Sequence, residues 1–372
     1  MLLGFKTKLK LNNQQKTLMA QHAGYARWVF NWGLKAWTET YKAGLKPTAN
    51  KLKKFYTHHV KPDYPWQSQL SSRVYQYAFQ DLDNAFKRFF KIKGTGYPKF
   101  KKKGISDSFT LDNGGKWIAL GSTRIKLPFI GFVSTYEALP ECQVKKVTLT
   151  RVGEDWLISF AYEQERTVTP QAFGTVGVDL GIKTLATLSN GEAFPNLKPY
   201  KKAVKQLGKY QRNLSRKVKG SKNRHKARIK LAKQHQKVAN LRRDYLHKIT
   251  SYLAKNFSEI VIEDLNVSGM LANRKLAKAI AELGLYELRR QLEYKSEIYG
   301  SKLTIVDRWF PSSKTCSGCG RIKEELSLSE RIYCCECGLE MDRDLNAAKV
   351  LESQAVGYTV SACGQSAADG SG

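Results

Sequence analysis

The chain has 372 residues, 42% of them apolar, and carries a formal net charge of +31. That length allows two or three domains with buried cores, and so much like charge on a compact fold calls for a polyanionic partner, with nucleic acid the first candidate. No apolar run approaches the roughly 18 residues of a membrane span, and MLLGFKTKLKLNN lacks a signal-peptide core, so the reading is a soluble prokaryotic protein, cytoplasmic and nucleoid-associated, with no membrane partner.

Residues 2–11 alternate apolar and basic side chains (Leu3, Phe5, Leu9, Leu11), which predicts a half-exposed strand. From Asn12 to about Lys93 the period becomes helical. His22, Tyr25, Ala26, Val29 and Leu34 share one stripe; Leu70, Val74, Tyr77, Leu82, Phe86 and Phe89 share another, on a helix expected over 67–80 and beyond. GTGYPKFKKKG (94–104) is a basic breaker. Residues 108–163 read as short strands with glycine and proline turns, and 164–173 as a linker. TVGVDLG and KTLATLSNG (174–191) predict a hairpin. Two basic helices broken near Gly220 follow over 198–255, then a buried strand at Ile260–Asp264. An amphipathic helix over 280–299 and a strand at Leu303–Val306 come next. A helix from Asp344 to Glu352 precedes a tail, 354–372, that is poor in large apolar residues and expected to be disordered.

Five of the seven cysteines fall between 316 and 337. Cys316-x2-Cys319 and Cys334-x2-Cys337 have the spacing of a closed structural zinc site, with Cys335 left as a spare. The six histidines show no HExxH spacing, and no P-loop is present, so neither ATP nor another small-molecule substrate is expected.

Three carboxylates stand at the ends of predicted core elements. On the strand Val176–Leu180, Asp179 shares its face with Gly177 and Gly181, which would leave that face open to a bulky ligand. Glu263 ends an apolar strand, where an unpaired charge is costly. Asp264 falls on the opposite face. Asp344 shares a helical stripe with Ala347, Ala348 and Leu351. Asp342 lies with Asn346 and Lys349 and is placed to cap the helix. Three such carboxylates fit a two-metal nuclease site, in which two Mg²⁺ or Mn²⁺ ions about 3.5–4 Å apart serve an in-line phosphoryl displacement.

Residues 198–248 hold 19 Lys or Arg against one acidic residue, Asp244. Leu207, Tyr210, Leu214, Val218, Val238, Leu241, Tyr245 and Ile249 keep helical spacing there, so the segment reads as helices with a basic face for a phosphate backbone. Lys201, Lys205, Arg212, Arg216, Lys222, Arg224 and Arg228 are the candidate contacts. Lys99, Lys101, Lys102 and Lys103, interleaved with Tyr97 and Phe100, form a second patch. Ser72 and Gln76 offer polar groups on the other face of the 67–80 helix.

GVDLGIK, VIEDLNV, PSSKTCSGCG, CCECG and DRDLNAA, in this order, resemble the TnpB family of transposon-encoded RNA-guided nucleases, relatives of type V Cas12 effectors. LKLNNQQ, the AFKRFFK–GYPKFKKK junction and the SACG tail extend the resemblance over nearly the whole chain. It implies a multidomain α+β and α/β fold. In that fold 1–11 and 94–166 form a wedge β-barrel around a helical recognition domain at 12–93. A RuvC-like, RNase H-type nuclease occupies 167–310 and 339–353, a zinc ribbon 311–338, and a disordered tail 354–372. It also implies Asp179, Glu263 and Asp344 as catalytic Mg²⁺ ligands and one structural Zn²⁺. The partners would be a guide RNA from the transposon end and double-stranded target DNA. Relatives that repress without cutting, and RNase H-like transposases, are the alternatives.

Overall fold

In a computed structural model, residues 2–364 are described except 106, 166–167, 169, 183, 196–197, 275 and 328–329; side chains are described to Ala355, without those of 198–199. The chain divides into two compact units, Met1–Glu165 and Arg166–Gly372.

The first unit begins with strand β1 (Leu2–Lys10). Asn12 then caps helix α1 (Asn13–Lys42), its side chain accepting from the Gln15 amide while Gln15 returns a bond to the Asn12 amide. Helices α2 (Ala49–Phe55) and α3 (Ser72–Lys91) follow. The expected 67–80 helix starts late, because Pro65–Gln69 is a 3₁₀ turn and Leu70 is extended. Ser71 then caps α3. Both predicted stripes are largely buried, with Tyr75 and Phe79 added to the second. Strands β2 (Ser108–Asp112), β3 (Arg124–Leu127), β4 (Gly131–Thr135), β5 (Lys146–Val152) and β6 (Asp155–Glu163) complete the unit. With β1 they make a six-stranded antiparallel sheet in the order β2-β5-β6-β1-β4-β3.

The second unit opens with β7 (Phe173–Asp179), β8 (Thr184–Leu188) and β9 (Ala193–Pro195), an antiparallel meander. The basic helices are α4 (Lys198–Ser215) and α5 (Lys222–Asn256), with Ser221 capping α5. Strand β10 (Phe257–Glu263) inserts parallel to β7. Helix α6 (Val267–Ala272) comes next, and the single helix expected over 280–299 is instead two, α7 (Ala277–Leu283) and α8 (Leu285–Tyr299). Gly284, at φ 72°, breaks these two apart. Strand β11 (Lys302–Val306) pairs parallel to β10, giving the order β11-β10-β7-β8-β9. A hairpin of β12 (Ile332–Cys334) and β13 (Glu340–Asp342) leads into α9 (Arg343–Gly364). This helix runs past Glu352, where the sequence reading ended it. No proline interrupts 345–364, and Ala355 is buried against Val261 and Leu351. Residues 365–372 of the expected disordered tail lie outside the described residues. Among the described residues no helix is long and apolar enough to cross a membrane.

Candidate active site and zinc cluster

One glycine sets the register of the site. A Cβ on Gly177 would run into the backbone of Ala348 and Glu352, so α9 lies directly on the sheet at that point. The face that Gly177 shares with Asp179 is therefore covered by a helix. The expected opening for a bulky ligand does not exist there; glycine is required for the helix to approach.

From that contact the three carboxylates follow by geometry. Asp179 is two residues along β7 from Gly177, a step of about 6.6 Å on the same face. Asp344 is four residues before Ala348, one helical turn or about 6 Å back along α9. Ile262 stands opposite Val178 and Val261 opposite Gly177 in the parallel ladder. Continuing the register by one residue sets Glu263 beside Asp179, on the face where Val261 meets Leu351 of α9.

The electrostatics agree with this convergence. Burial first, then the nearby charges of Asp344 and Glu263, push the Asp179 carboxyl up to about 7; Arg343 acts in the opposite direction. Glu263 is also raised, by burial, against a hydrogen bond of 3.2 Å donated by the Ser312 hydroxyl to its Oε2. Asp264 forms ion pairs with Arg308 and Arg289, which hold its carboxyl below the usual range. Asp342 caps α9, accepting from the amides of Asp344 at 2.9 Å and Leu345 at 3.1 Å. An oxygen-only set of crowded, half-desolvated carboxylates is a donor set that fits hard divalent cations.

The sulfurs of Cys316, Cys319, Cys335 and Cys337 all lie within 4.8 Å of one another. Cys316–Cys337 and Cys319–Cys335 are 3.7 and 3.6 Å apart, close to the edge of about 3.8 Å that a tetrahedral site with Zn–S bonds of about 2.3 Å requires. The cluster fits one structural zinc. Cys335 takes the place expected for Cys334, and strand alternation is the reason. Tyr333 is buried, so Cys334 turns outward and is exposed, while Cys335 returns to the inner side.

Helical spacing sets Asn346 on a stripe with Asp342 and Lys349, away from Asp344, yet it is fully buried. Its amide donates to the Thr315 carbonyl at 2.7 Å and its Oδ1 accepts from the Ser317 amide at 2.9 Å. It thus pins the backbone on either side of Cys316 to the helix that carries Asp344. The signal was an amide in the interior of a predicted helix, next to two alanines.

Of the candidate nucleic-acid contacts, Ser72, Lys99, Lys102, Lys103, Lys201, Lys205, Arg212, Arg216, Lys222 and Arg228 are exposed. Of these, Arg228 lies 3.5 Å from the His225 ring nitrogen, and the other three candidates are engaged within the protein. Lys101 pairs with Asp81 at 3.3 Å and lies over the Phe30 ring. Arg224 donates to the carbonyls of Leu214 and Lys217, stapling the α4–α5 turn. Gln76 accepts from Arg73 at 3.0 Å. Val218, one of the apolar positions with helical spacing, lies in that turn and is exposed.

Comparison with known proteins agrees with these features. Residues 159–274 match a family model, OrfB_IS605, described as "Probable transposase"; 286–351 match a Cas12f1-like TNB domain. Residues 1–46 match a helix-turn-helix domain of the first family, although here they form one strand and one long helix. A Streptomyces pristinaespiralis protein provisionally named RNA-guided DNA endonuclease is 39% identical over 308 residues, 80% of this chain and 74% of that one. Escherichia coli K12 InsQ, provisionally named in the same way, is 35% identical over 385 residues, 98% of this chain and 94% of that one. The fold is similar to that of a protein in a Cas12f1–sgRNA–target DNA complex, with TM-score 0.58, 15% identity, and 92% and 83% of the two chains covered. The chain belongs to the TnpB family.

Proposed function

We propose that this protein is a transposon-encoded, RNA-guided DNA endonuclease that cuts target DNA at Asp179, Glu263 and Asp344. The observation that carries the proposal is the arrival of these three carboxylates, from β7, β10 and α9, on one face of one sheet. The meander β7-β8-β9, extended by parallel β10 and β11, supports a RuvC-like, RNase H-type nuclease. In the first unit, the antiparallel sheet would be the wedge barrel and α1–α3 the recognition domain. The guide supplies sequence specificity by base pairing, while the protein reads duplex shape and a short adjacent motif.

Asp179, Glu263 and Asp344 would hold two Mg²⁺ or Mn²⁺ ions. When bound, such ions activate water and stabilise charge on the phosphate. The protein's own contribution is position. Ser312 orients Glu263, the Asp342 cap fixes the first turn of α9, and close packing at Gly177 sets the depth of Asp344.

The test is to purify the protein, sequence the RNA that co-purifies, and assay Mg²⁺-dependent cleavage of matching DNA with randomised flanks. A discrete transposon-end transcript and guided cleavage are expected. Asp179→Ala should abolish cleavage and keep guided binding. Cleavage retained in that variant refutes the catalytic assignment, and bulk cellular RNA alone refutes the guide. Because residues 159–274 match a model described as a transposase, the same assay is inspected for strand-transfer products formed without RNA.

A further inference from the structure

We propose that Trp309 is a stacking platform for a nucleobase of the DNA strand being cut, on the wall of a cleft that leads to Glu263. This inference rests on the nuclease reading above. The cleft has a volume of about 480 Å³; Glu263, Asn266, Met270, Leu276 and Trp309 line it. Glu263, a candidate metal ligand, thus opens directly onto it.

A single exposed apolar side chain is ordinary and calls for no explanation. Trp309 differs in how it is held. Trp309 is 85% exposed, yet the turn beneath it is fastened by four contacts. The Asp307 carboxylate accepts from the Trp309 amide at 2.8 Å, and the Asp307 carbonyl accepts from the Phe310 amide at 3.0 Å. Arg308 is tied to Asp264, which Arg289 holds from α8. Ser312 donates to Glu263 itself. A fixed backbone therefore presents a whole indole face to solvent beside the reacting site.

The occupant follows from position and charge. A scissile phosphate must come to the carboxylates, and on a chain of net charge +31 the polyanion is the natural visitor. A base next to that phosphate lies within reach of the cleft wall. In a duplex both faces of a base are already stacked, so only a locally single-stranded segment can offer one to the indole. Stacking of this kind tolerates every base, as a guide-programmed enzyme requires.

Two experiments test the assignment. In the first, single-stranded DNA carrying 5-bromodeoxyuridine is irradiated with the Asp179→Ala protein, which needs neither guide nor cutting. The crosslinked peptide is then mapped. Attachment at the peptide containing Trp309, lost in Asp179→Ala/Trp309→Ala, is expected; crosslinks only elsewhere overturn the proposal. In the second, guided cleavage is measured with Trp309→Tyr, Trp309→Leu and Trp309→Ala. Tyrosine should stay within about threefold of wild type, while leucine and alanine raise KM for the cut strand about tenfold or more. Equal activity of all three overturns stacking. If Asp179→Ala stops cleavage and Trp309→Ala cuts like wild type, only the stacking proposal falls. If the wild-type protein cuts nothing, the nuclease reading falls, and the crosslink still decides whether the indole meets a base.

Discussion

Cys334 and Cys335 are neighbours in sequence that leave the end of β12 on opposite sides, Cys335 toward three other sulfurs and Cys334 toward solvent. Cys335→Ser should therefore purify with well under one zinc per chain, while Cys334→Ser keeps a full complement; metal analysis of the two proteins decides between them. Asn346 carries a second prediction. Replacing it with alanine leaves the Thr315 carbonyl and the Ser317 amide without their partner, a cost of about 1–3 kcal/mol for each buried group left unmet. Asn346→Ala should melt at a lower temperature and lose zinc several-fold faster to a chelator. Unchanged release would mean that the cluster stands without its anchor on α9. At this scale the sequence was legible where periodicity alone decides. The Asp342 cap follows from helix spacing, and the side of β7 that Asp179 shares with Gly177 follows from strand alternation. It was silent where a second segment covers the residue. The burial of Asn346 was hidden because nothing in its own helix shows that the ribbon folds over it, and the x2 spacing of Cys334 hid the strand parity that favours Cys335.

At the scale of elements, α9 against β7 is the decisive contact. Gly177→Ala puts a methyl group into the helix backbone, which has no side chain to swing aside. The helix must lift, at a cost of about 1–3 kcal/mol, as overpacked cores pay. Gly174, on the same strand with open space at its Cβ position, is the control. Urea denaturation should show Gly177→Ala clearly destabilised and Gly174→Ala close to wild type. Cleavage by the first should fall further than its stability explains, because Asp344 moves with α9. An equal midpoint for both variants would show that the helix is free to adjust. Strands β1, β7, β8, β10 and β11 and the long helices were readable from period; β9, the β12–β13 hairpin and the split of 280–299 at Gly284 were not. An isolated glycine in a helical pattern is compatible with continuation, and only its left-handed backbone ends α7.

Over the whole molecule, charge is concentrated: residues 198–248 carry 19 of the 63 Lys and Arg and one of the 32 acidic residues. Exposed members of α4 and α5 should act on binding through counterion release. Lys205→Ala and Arg212→Ala together should lower the slope of log affinity against log salt for RNA by roughly 1.5, at about 0.7–0.9 per lost contact. Arg224→Ala should instead lower stability, since its guanidinium holds the α4–α5 turn. A slope unchanged by the first pair would remove α4 from the RNA interface.

The placement of Asp344 on the last helix has a consequence in time. A ribosome completes Asp179, the basic helices and Glu263 before it reaches the cysteine hairpin, and Asp344 comes only after that. On the reading proposed above, a nascent chain would meet RNA before it can cut. A message broken before the codon for Arg343 would then yield a protein that grips its transcript and cannot cut. Under that reading vectorial synthesis would act as a safety catch, with the blade fitted after the grip.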